Sequence, residues 1–256
     1  MSDRLARIVG PIVVLLLLIL GWEVAVRVTD TQTWMLPAPS DVLGSFRDDW
    51  RLLLEHTRVT LSEVLIGFGI ALAAGLITGI AIDSNRVIER ALYPLLIASQ
   101  TIPMVVLAPL FLIWFGYGLL PKVLVTALVA YFPLAVNTVD GLKSTDRELM
   151  KLLRSMGASN WRIFRLAKVP SALPMIFGGA RISVAFSVIG AVFGEFVGAK
   201  KGLGYLMDRS AAMFETPRVF ACIVILAVMG VVLFALVGVI ERITLPWRRY
   251  TSASIL

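Results

Sequence analysis

Two charged side chains set in an apolar stretch are the residues of this chain best suited to bind a polar solute. Arg181 and Glu195 interrupt residues 171–197, where most other side chains are apolar or small. An arginine in such a setting attracts anions or carbonyl oxygens, and a carboxylate accepts hydrogen bonds or attracts cations. Gln100 and Asn137 add uncharged polar groups to two other apolar stretches. We therefore take these four residues as candidates for lining a path through which a small polar molecule passes.

Catalytic and metal-binding motifs are missing from the sequence. With one histidine, His56, and one cysteine, Cys222, the chain can build neither a His/Cys metal cluster nor a disulfide. Neither His-Glu-x-x-His nor Gly-x-Ser-x-Gly occurs, and Leu142 precedes Lys143 where a phosphate-binding loop requires glycine. We expect no metal, no cofactor, no bound nucleotide and no enzymatic activity in this chain.

The composition predicts that lipid surrounds most of the chain. Of the 256 residues 58% are hydrophobic and only 16% are charged, with a mean hydropathy of +0.87. A soluble domain of this size does not need so much apolar surface. The net charge of +7 is spread between apolar runs instead of forming one basic face, so nucleic acid is not an expected partner. The fold class is an all-α polytopic membrane protein.

Six apolar stretches are long enough to cross a hydrocarbon core of ~30 Å as helices. They lie at about 8–28, 57–82, 90–115, 119–139, 171–197 and 219–243. Three prolines, Pro94, Pro103 and Pro109, must break or kink the third. Glycine and alanine recur every four residues in the second and fifth, at Gly67, Ala71, Gly75 and Gly79 and at Gly190, Gly194 and Gly198, which favours close packing of helices.

Basic residues between the spans predict the orientation. If the N-terminus is cytoplasmic, that side collects 14 Lys and Arg residues and the opposite side collects 8. Because basic loops stay in the cytoplasm, both termini are predicted to be cytoplasmic. On this layout Arg181 lies ~15 Å into its span and Glu195 ~36 Å along it, so the two cannot pair. Arg181 either lines a path or forms a structural pair, with Glu63 as one candidate partner.

The longest cytoplasmic connection, about 140–170, has the pattern of two short helices. Thr145 and Glu148 have capping-box spacing, and Gly157 is suited to end the first helix. Ser159 or Asn160 is suited to cap a second helix bearing Trp161. The apolar faces of these helices need a cover. A partner subunit, the helix bundle and anionic lipid are all open as that cover.

This loop resembles the cytoplasmic signature of binding-protein-dependent ABC importer permeases. The signature is a Glu-Ala-Ala run, three residues, Gly, nine residues and Ile-x-Leu-Pro. The matching positions here are Lys151-Leu152-Leu153, Gly157 and Ala167-Lys168-Val169-Pro170, so the glycine and proline match and the Glu-Ala-Ala run does not. Stretches such as Trp114-Phe115-Gly116-Tyr117-Gly118 and Gly202-Leu203-Gly204-Tyr205 are similar to the nitrate, sulfonate and taurine branch, which includes permeases for thiamine-pyrimidine precursors and riboflavin.

The resemblance implies a type I ABC importer permease fold in a bacterial inner membrane. It implies residues 1–56 as a first transmembrane helix with an external loop and residues 57–256 as the permease core. The implied partners are two cytoplasmic ATPase subunits, an extracytoplasmic solute-binding protein, a second copy of the chain and membrane lipid. The implied ATPase-coupling residues are Leu153, Gly157, Ala158, Ser159, Trp161, Phe164 and Pro170.

Riboflavin or a thiamine pyrimidine precursor is the favoured solute. An alkylsulfonate, taurine or nitrate is the alternative within the same class. A secondary transporter or channel is the alternative from a different class, and it predicts inverted repeats and several intramembrane acids, neither of which is clear in the sequence.

Overall fold

Helices form all the regular structure in the part of the chain that is described. The computed structural model describes residues 2–246, with the side chains of residues 9–10, 13–103 and 106–246. The C-terminal residues 247–256, for which a cytoplasmic location is predicted, lie outside the described residues. In chain order the helices are α1 (Ser2–Val28), α2 (Pro39–Asp48), α3 (Trp50–Ser84), α4 (Arg86–Ser99), α5 (Met104–Phe115), α6 (Leu119–Lys143), α7 (Arg147–Ser155), α8 (Asn160–Ile163), α9 (Val169–Phe196), α10 (Leu203–Ala212) and α11 (Thr216–Thr244).

Four helical stretches of the described residues are long and apolar enough to cross a membrane. They are α3, α6, α11 and the continuous stretch Asn160–Phe196, in which a π-helical turn, Phe164–Lys168, joins α8 to α9. The helix that carries the predicted fifth span, about 171–197, therefore begins before the span, at Asn160. Pro170 is the second residue after the π-helical turn, where its missing N–H is tolerated because the hydrogen-bond pattern changes there. The count of six spans stays a prediction.

The predicted third span is not one helix. Its sequence divides into α4, which ends at Ser99, and α5, which begins at Met104. Pro103 stands immediately before α5 with the extended torsion ψ of 105°, which a continuous helix would not allow. Proline also biases the residue before it away from helical torsions, so the chain turns between Gln100 and Pro103.

Helix α6 packs against both α3 and α9. Its buried residues include Thr126, Leu134 and Thr138. On α3, a methyl group added at Gly67 or Gly79 would come within 2.5 Å or 2.4 Å of a threonine on α6. On α9, methyl groups added at three glycines, Gly179, Gly190 and Gly194, would come within 2.6 to 3.0 Å of α6. The predicted close packing of helices is confirmed at these contacts.

Adding one methyl group on α3 tests this packing. We expect Gly67→Ala to lower the stability of the detergent-solubilised protein by about 1–3 kcal/mol, because the new Cβ would lie 2.5 Å from Thr126 Cγ2. The matched control is Gly69→Ala on the same helix, where the added Cβ meets no atom within 4 Å. Thermal unfolding in one detergent measures both. Equal melting temperatures for the two variants would contradict the packing described here.

The chain separates into two compact units. One comprises Met1–Val59 and Lys201–Ala227, and the other Thr60–Lys200 and Val228–Leu256. Within the first, Arg218 Nε donates to Asp49 at 2.7 Å, and the Gly202 backbone N–H donates to His56 Nδ1 at 2.9 Å. Helices α4 to α9, α3 from residue 60 onwards and α11 from residue 228 onwards lie in the second unit, which carries the residues considered below. The division into a first transmembrane helix with its external loop, residues 1–56, and a permease core, residues 57–256, stays a proposal.

Candidate coupling surface and membrane-embedded polar groups

The segment between α6 and α9 folds as two short helices, α7 and α8, followed by the π-helical turn. Helix α7 ends at Ser155, and Gly157 follows with φ of +77°. The Gly157 N–H donates to Arg154 O at 3.0 Å and the Ala158 N–H donates to Leu153 O at 2.9 Å, which are the two bonds of a Schellman motif. The predicted role of Gly157 in ending this helix is confirmed, because a left-handed φ favours glycine.

The start of α7 differs from its prediction. Asp146, and not Thr145, caps the helix, since its Oδ1 accepts from the Glu148 N–H at 2.8 Å. Thr145 is buried and its hydroxyl donates to Leu142 O in the last turn of α6 at 3.1 Å, so it does not cap α7. Threonine and aspartate are both common helix N-caps, so the sequence does not distinguish Thr145 from Asp146. The burial of Thr145 leaves the role to Asp146.

An exposed apolar surface covers the tip of this segment. Ser159 caps α8 by accepting from the Arg162 N–H at 3.3 Å, and Trp161 follows with 69% of its surface exposed. The Trp161 ring stacks on Phe164 with centroids 5.6 Å apart. Three other large apolar side chains of the segment are also mostly exposed, and we call the set the coupling surface: Leu152, Met156, Trp161 and Leu166. Large exposed apolar side chains of this kind are suited to contact with another molecule.

Two ion pairs tie the ends of the segment to the helix bundle. Lys168 Nζ donates to both carboxylate oxygens of Asp83, each at 2.8 Å, and so links the π-helical turn to the last turn of α3. Lys143, at the end of α6, pairs with Glu89 of α4 at 2.8 Å. The hydrogen bond from Lys143 holds the pKa of the Glu89 carboxyl below its usual value. Force applied at α8 therefore has a direct polar connection to α3.

The seven predicted coupling residues differ in exposure. Trp161, Gly157 and Ser159 are exposed, whereas the side chains of the others are half-buried: Leu153, Ala158, Phe164 and Pro170. Trp161 is thus the predicted residue with a large apolar side chain available for contact. The exposed residues Leu152, Met156 and Leu166 were not among the predicted ones, although their spacing around Trp161 is visible in the sequence.

Arg181 forms an ion pair inside the bundle. Its Nη2 lies 2.5 Å from Glu241 Oε2 on α11, and its guanidinium carbon lies 5.6 Å from the centre of the Phe234 ring. A methyl group added at Gly238 would come within 3.0 Å of the same guanidinium, so α11 accommodates the arginine closely. The predicted pairing of Arg181 with Glu63 is therefore wrong, and the carboxylate that pairs with Arg181 is Glu241.

Glu195 lies in a second buried polar cluster. Its Oε1 accepts a hydrogen bond from Thr60 Oγ1 at 2.6 Å, and both residues are almost fully buried. Glu63 forms an ion pair with Lys122, whose side chain is 13% exposed. These four residues connect α3, α6 and α9 through polar groups removed from solvent. Arg181 and Glu195 have separate partners, in agreement with the prediction that they do not pair.

The remaining path candidates occupy other places. Asn137 Nδ2 donates to Pro133 O at 2.7 Å, at the point where α6 meets Gly179 of α9. Gln100 is exposed and stands at the break between α4 and α5. The four predicted path residues thus do not form one cluster within the chain. Lys122, Glu241 and Asp83 were missed, although each is an ionisable residue within or at the end of an apolar stretch.

The sequence matches a known family over most of its length. Residues 71–244 match the model of the binding-protein-dependent transport system inner membrane component. The chain is 42% identical over 240 residues to the formylaminopyrimidine transport permease protein ThiX of Halalkalibacterium halodurans, covering 93% of this chain and 96% of that protein. It is 41% identical over 240 residues to the riboflavin transport system permease protein RibX of Chloroflexus aurantiacus, covering 92% of this chain and 88% of that protein.

The fold is also similar to a solved permease structure. A chain of the MetNI methionine ABC transporter in an inward-facing conformation superimposes with a TM-score of 0.67 at 21% sequence identity, covering 76% of this chain and 96% of that chain. At this identity the likeness shows the fold, which agrees with the predicted importer permease fold. The chain belongs to the family of binding-protein-dependent transport system inner membrane components, and it is a permease subunit of an ABC importer whose ATPase is a separate subunit.

Proposed function

We propose that this permease imports a small aromatic heterocycle of the vitamin type, either a formylaminopyrimidine or riboflavin. The observation that carries the proposal is identity above 40% over more than nine-tenths of the chain to two permeases named for these solutes. Their agreement extends through the membrane-spanning part, where a solute must pass. The same similarity favours an inner-membrane location with a separate ATPase and a separate solute-binding protein.

The proposed assembly contains two copies of this chain, two ATPase subunits and one external binding protein. Both chain termini are cytoplasmic in this arrangement, so the coupling surface faces the ATPase. Its exposed apolar side chains support this role, because Trp161 and Met156 need a partner to leave water. The cluster of basic residues in the same segment supports the cytoplasmic side.

Motion in the proposed mechanism passes from the coupling surface into the membrane by two connections. Closure of the ATPase dimer on ATP moves α8, which is continuous through the π-helical turn with α9. The Lys168–Asp83 pair carries the same motion to α3. Because α3 and α9 both pack on α6, their displacement changes the access of the path to the two sides of the membrane.

Arg181 is proposed to line this path or to hold it open through its pair with Glu241. We expect Arg181→Met to abolish most uptake, but it removes only one member of a buried ion pair and therefore also lowers stability. The double variant Arg181→Met/Glu241→Gln removes both charges, and we expect it to assemble while most uptake is lost. Uptake and assembly are measured in the same membranes. Loss of assembly in the double variant would show a structural role and remove Arg181 from the path.

The experiment that tests the solute is purification of the complex and identification of what its binding protein captures. Mass spectrometry of the released ligand is expected to show a formylaminopyrimidine or riboflavin. Recovery of an alkylsulfonate, taurine or nitrate in its place would overturn the proposed solute and leave the permease assignment unchanged.

A further inference from the structure

Two adjoining cavities lie at one end of the membrane-spanning helices, beside the coupling surface, and neither has been given a role above. The first has a volume of about 490 Å³ and lies among α3, α6, α9 and α11. The second has a volume of about 410 Å³ and lies beside α7 and α8. Ile80 and Phe164 line both cavities, so the two are neighbours.

The larger cavity is lined by hydrocarbon. Leu72, Leu76, Leu173 and Phe177 contribute to its wall, and the hydroxyl of Thr138 is turned to the Leu134 carbonyl at 2.7 Å. A pyrimidine or flavin needs several hydrogen bonds to replace those it makes with water, and this wall offers none. The occupant must therefore be apolar along its whole length.

The larger cavity also reaches the surface that faces lipid. Ile240 lines it and is 52% exposed, and Ile77, one residue after the lining residue Leu76, is 68% exposed. A membrane protein leaves such apolar side chains exposed because the solvent there is lipid. An acyl chain can thus enter sideways from the bilayer without crossing a polar barrier.

The smaller cavity supplies the polar end. Asn160, Ser84 and Arg154 line it together with the Lys168–Asp83 pair, in which the charges offset each other. Arg154 is exposed and has no ion-pair partner among the described residues, so it adds one net positive charge to the wall. Residues 140–170 around it contain seven basic and three acidic side chains. Basic pockets at the ends of membrane helices fit anionic lipid headgroups.

We propose that the two cavities together bind one anionic phospholipid, with an acyl chain in the larger cavity and the phosphate beside Arg154 in the smaller one. An acyl chain leaves hydrocarbon to enter this cavity, so it gains little from the hydrophobic effect. Filling the space restores dispersion contacts, and selectivity comes from the headgroup charge. The lipid would lie against Trp161 and Phe164, at the base of the coupling surface.

Native mass spectrometry of the purified permease complex, supplied in turn with phosphatidylglycerol and phosphatidylcholine, tests the proposal without a variant. Retention of phosphatidylglycerol is expected to exceed that of phosphatidylcholine by about five-fold or more, the effect of one arginine near a membrane surface. Arg154→Gln is expected to remove this preference, whereas Arg147→Gln, on the same helix outside the cavity, keeps it. Equal retention of the two lipids by the unaltered complex would overturn the proposal.

A matched pair of substitutions tests the acyl-chain cavity. Leu76→Trp fills the cavity and is expected to expel the bound lipid, and Ile77→Trp, which adds the same ring on the lipid-facing side, is expected to retain it. Retention by Leu76→Trp, or equal loss in both variants, would contradict the site. Cross-linking of Leu76→Cys to a second copy of the chain would show that protein covers the cavity and would also overturn the proposal.

Discussion

Replacing Trp161 with aspartate is expected to leave the permease in the membrane and to abolish the stimulation of ATP hydrolysis by solute-loaded binding protein. Trp161 is 69% exposed and stacks on Phe164, so the substitution removes the centre of the coupling surface without opening the core. Loss of a central aromatic contact costs about 2 kcal/mol or more in a protein interface. That corresponds to docking weakened about thirty-fold.

Two further variants make this result specific to the coupling surface. Val87→Asp places the same charge at a residue of α4 that is 75% exposed and outside the segment, and we expect it to retain stimulation. At Gly157, whose φ is +77°, we expect aspartate to impair coupling and asparagine to impair it less, because asparagine tolerates left-handed torsions. Stimulated hydrolysis in purified complexes is the measurement. Full stimulation of Trp161→Asp would refute the role of this surface.

Replacing Lys122 with methionine is expected to lower the stability of the permease strongly. Lys122 pairs with Glu63, whose side chain is fully buried, and the same cluster holds Glu195. Without the Lys122 ammonium, the carboxylates of Glu63 and Glu195 remain buried away from water. Breaking one partner of a buried pair costs about 3–5 kcal/mol, so we expect little assembled permease in the membrane.

A double variant separates charge from packing in that cluster. Lys122→Met with Glu63→Gln removes both members of the pair, and we expect it to recover much of the assembled protein. Lys201→Met is the control for an exposed pair, because Lys201 and Glu55 are 61% and 54% exposed and an exposed ion pair contributes little to stability. The measurement is the amount of folded permease that each variant yields after size-exclusion chromatography. Normal assembly of Lys122→Met alone would contradict a stabilising role for the pair.

Patterns local to one helix were predictable from the sequence. The repeat of small residues on α3 predicts close packing, and the positive φ at Gly157 follows from its place after an amphipathic turn. Burial could not be predicted in the same way. Thr145 and Asp146 are both suitable caps, and only the burial of Thr145 against α6 leaves the role to Asp146.

Pairing between distant parts of the chain was the least predictable feature of the candidate site. Arg181 needed a carboxylate, but the sequence cannot tell which of several acids a helix crossing will bring to it, and Glu241 lies 60 residues further on. The π-helical turn was likewise missed, because prolines at 170 and 174 predict a helix start as readily as a continuous helix with altered bonding. Both misses concern how helices meet, which depends on the whole bundle.

ATP-driven uptake in sealed vesicles tests the central claim most directly. The permease is reconstituted with its ATPase and binding protein, ATP is enclosed on the ATPase side, and entry of labelled formylaminopyrimidine and riboflavin is followed with and without ionophores. We predict accumulation of one of these solutes that requires ATP and the binding protein, persists when ion gradients are collapsed, and is lost in Trp161→Asp. Accumulation that needs an ion gradient and proceeds without the ATPase would contradict the assignment to an ABC importer.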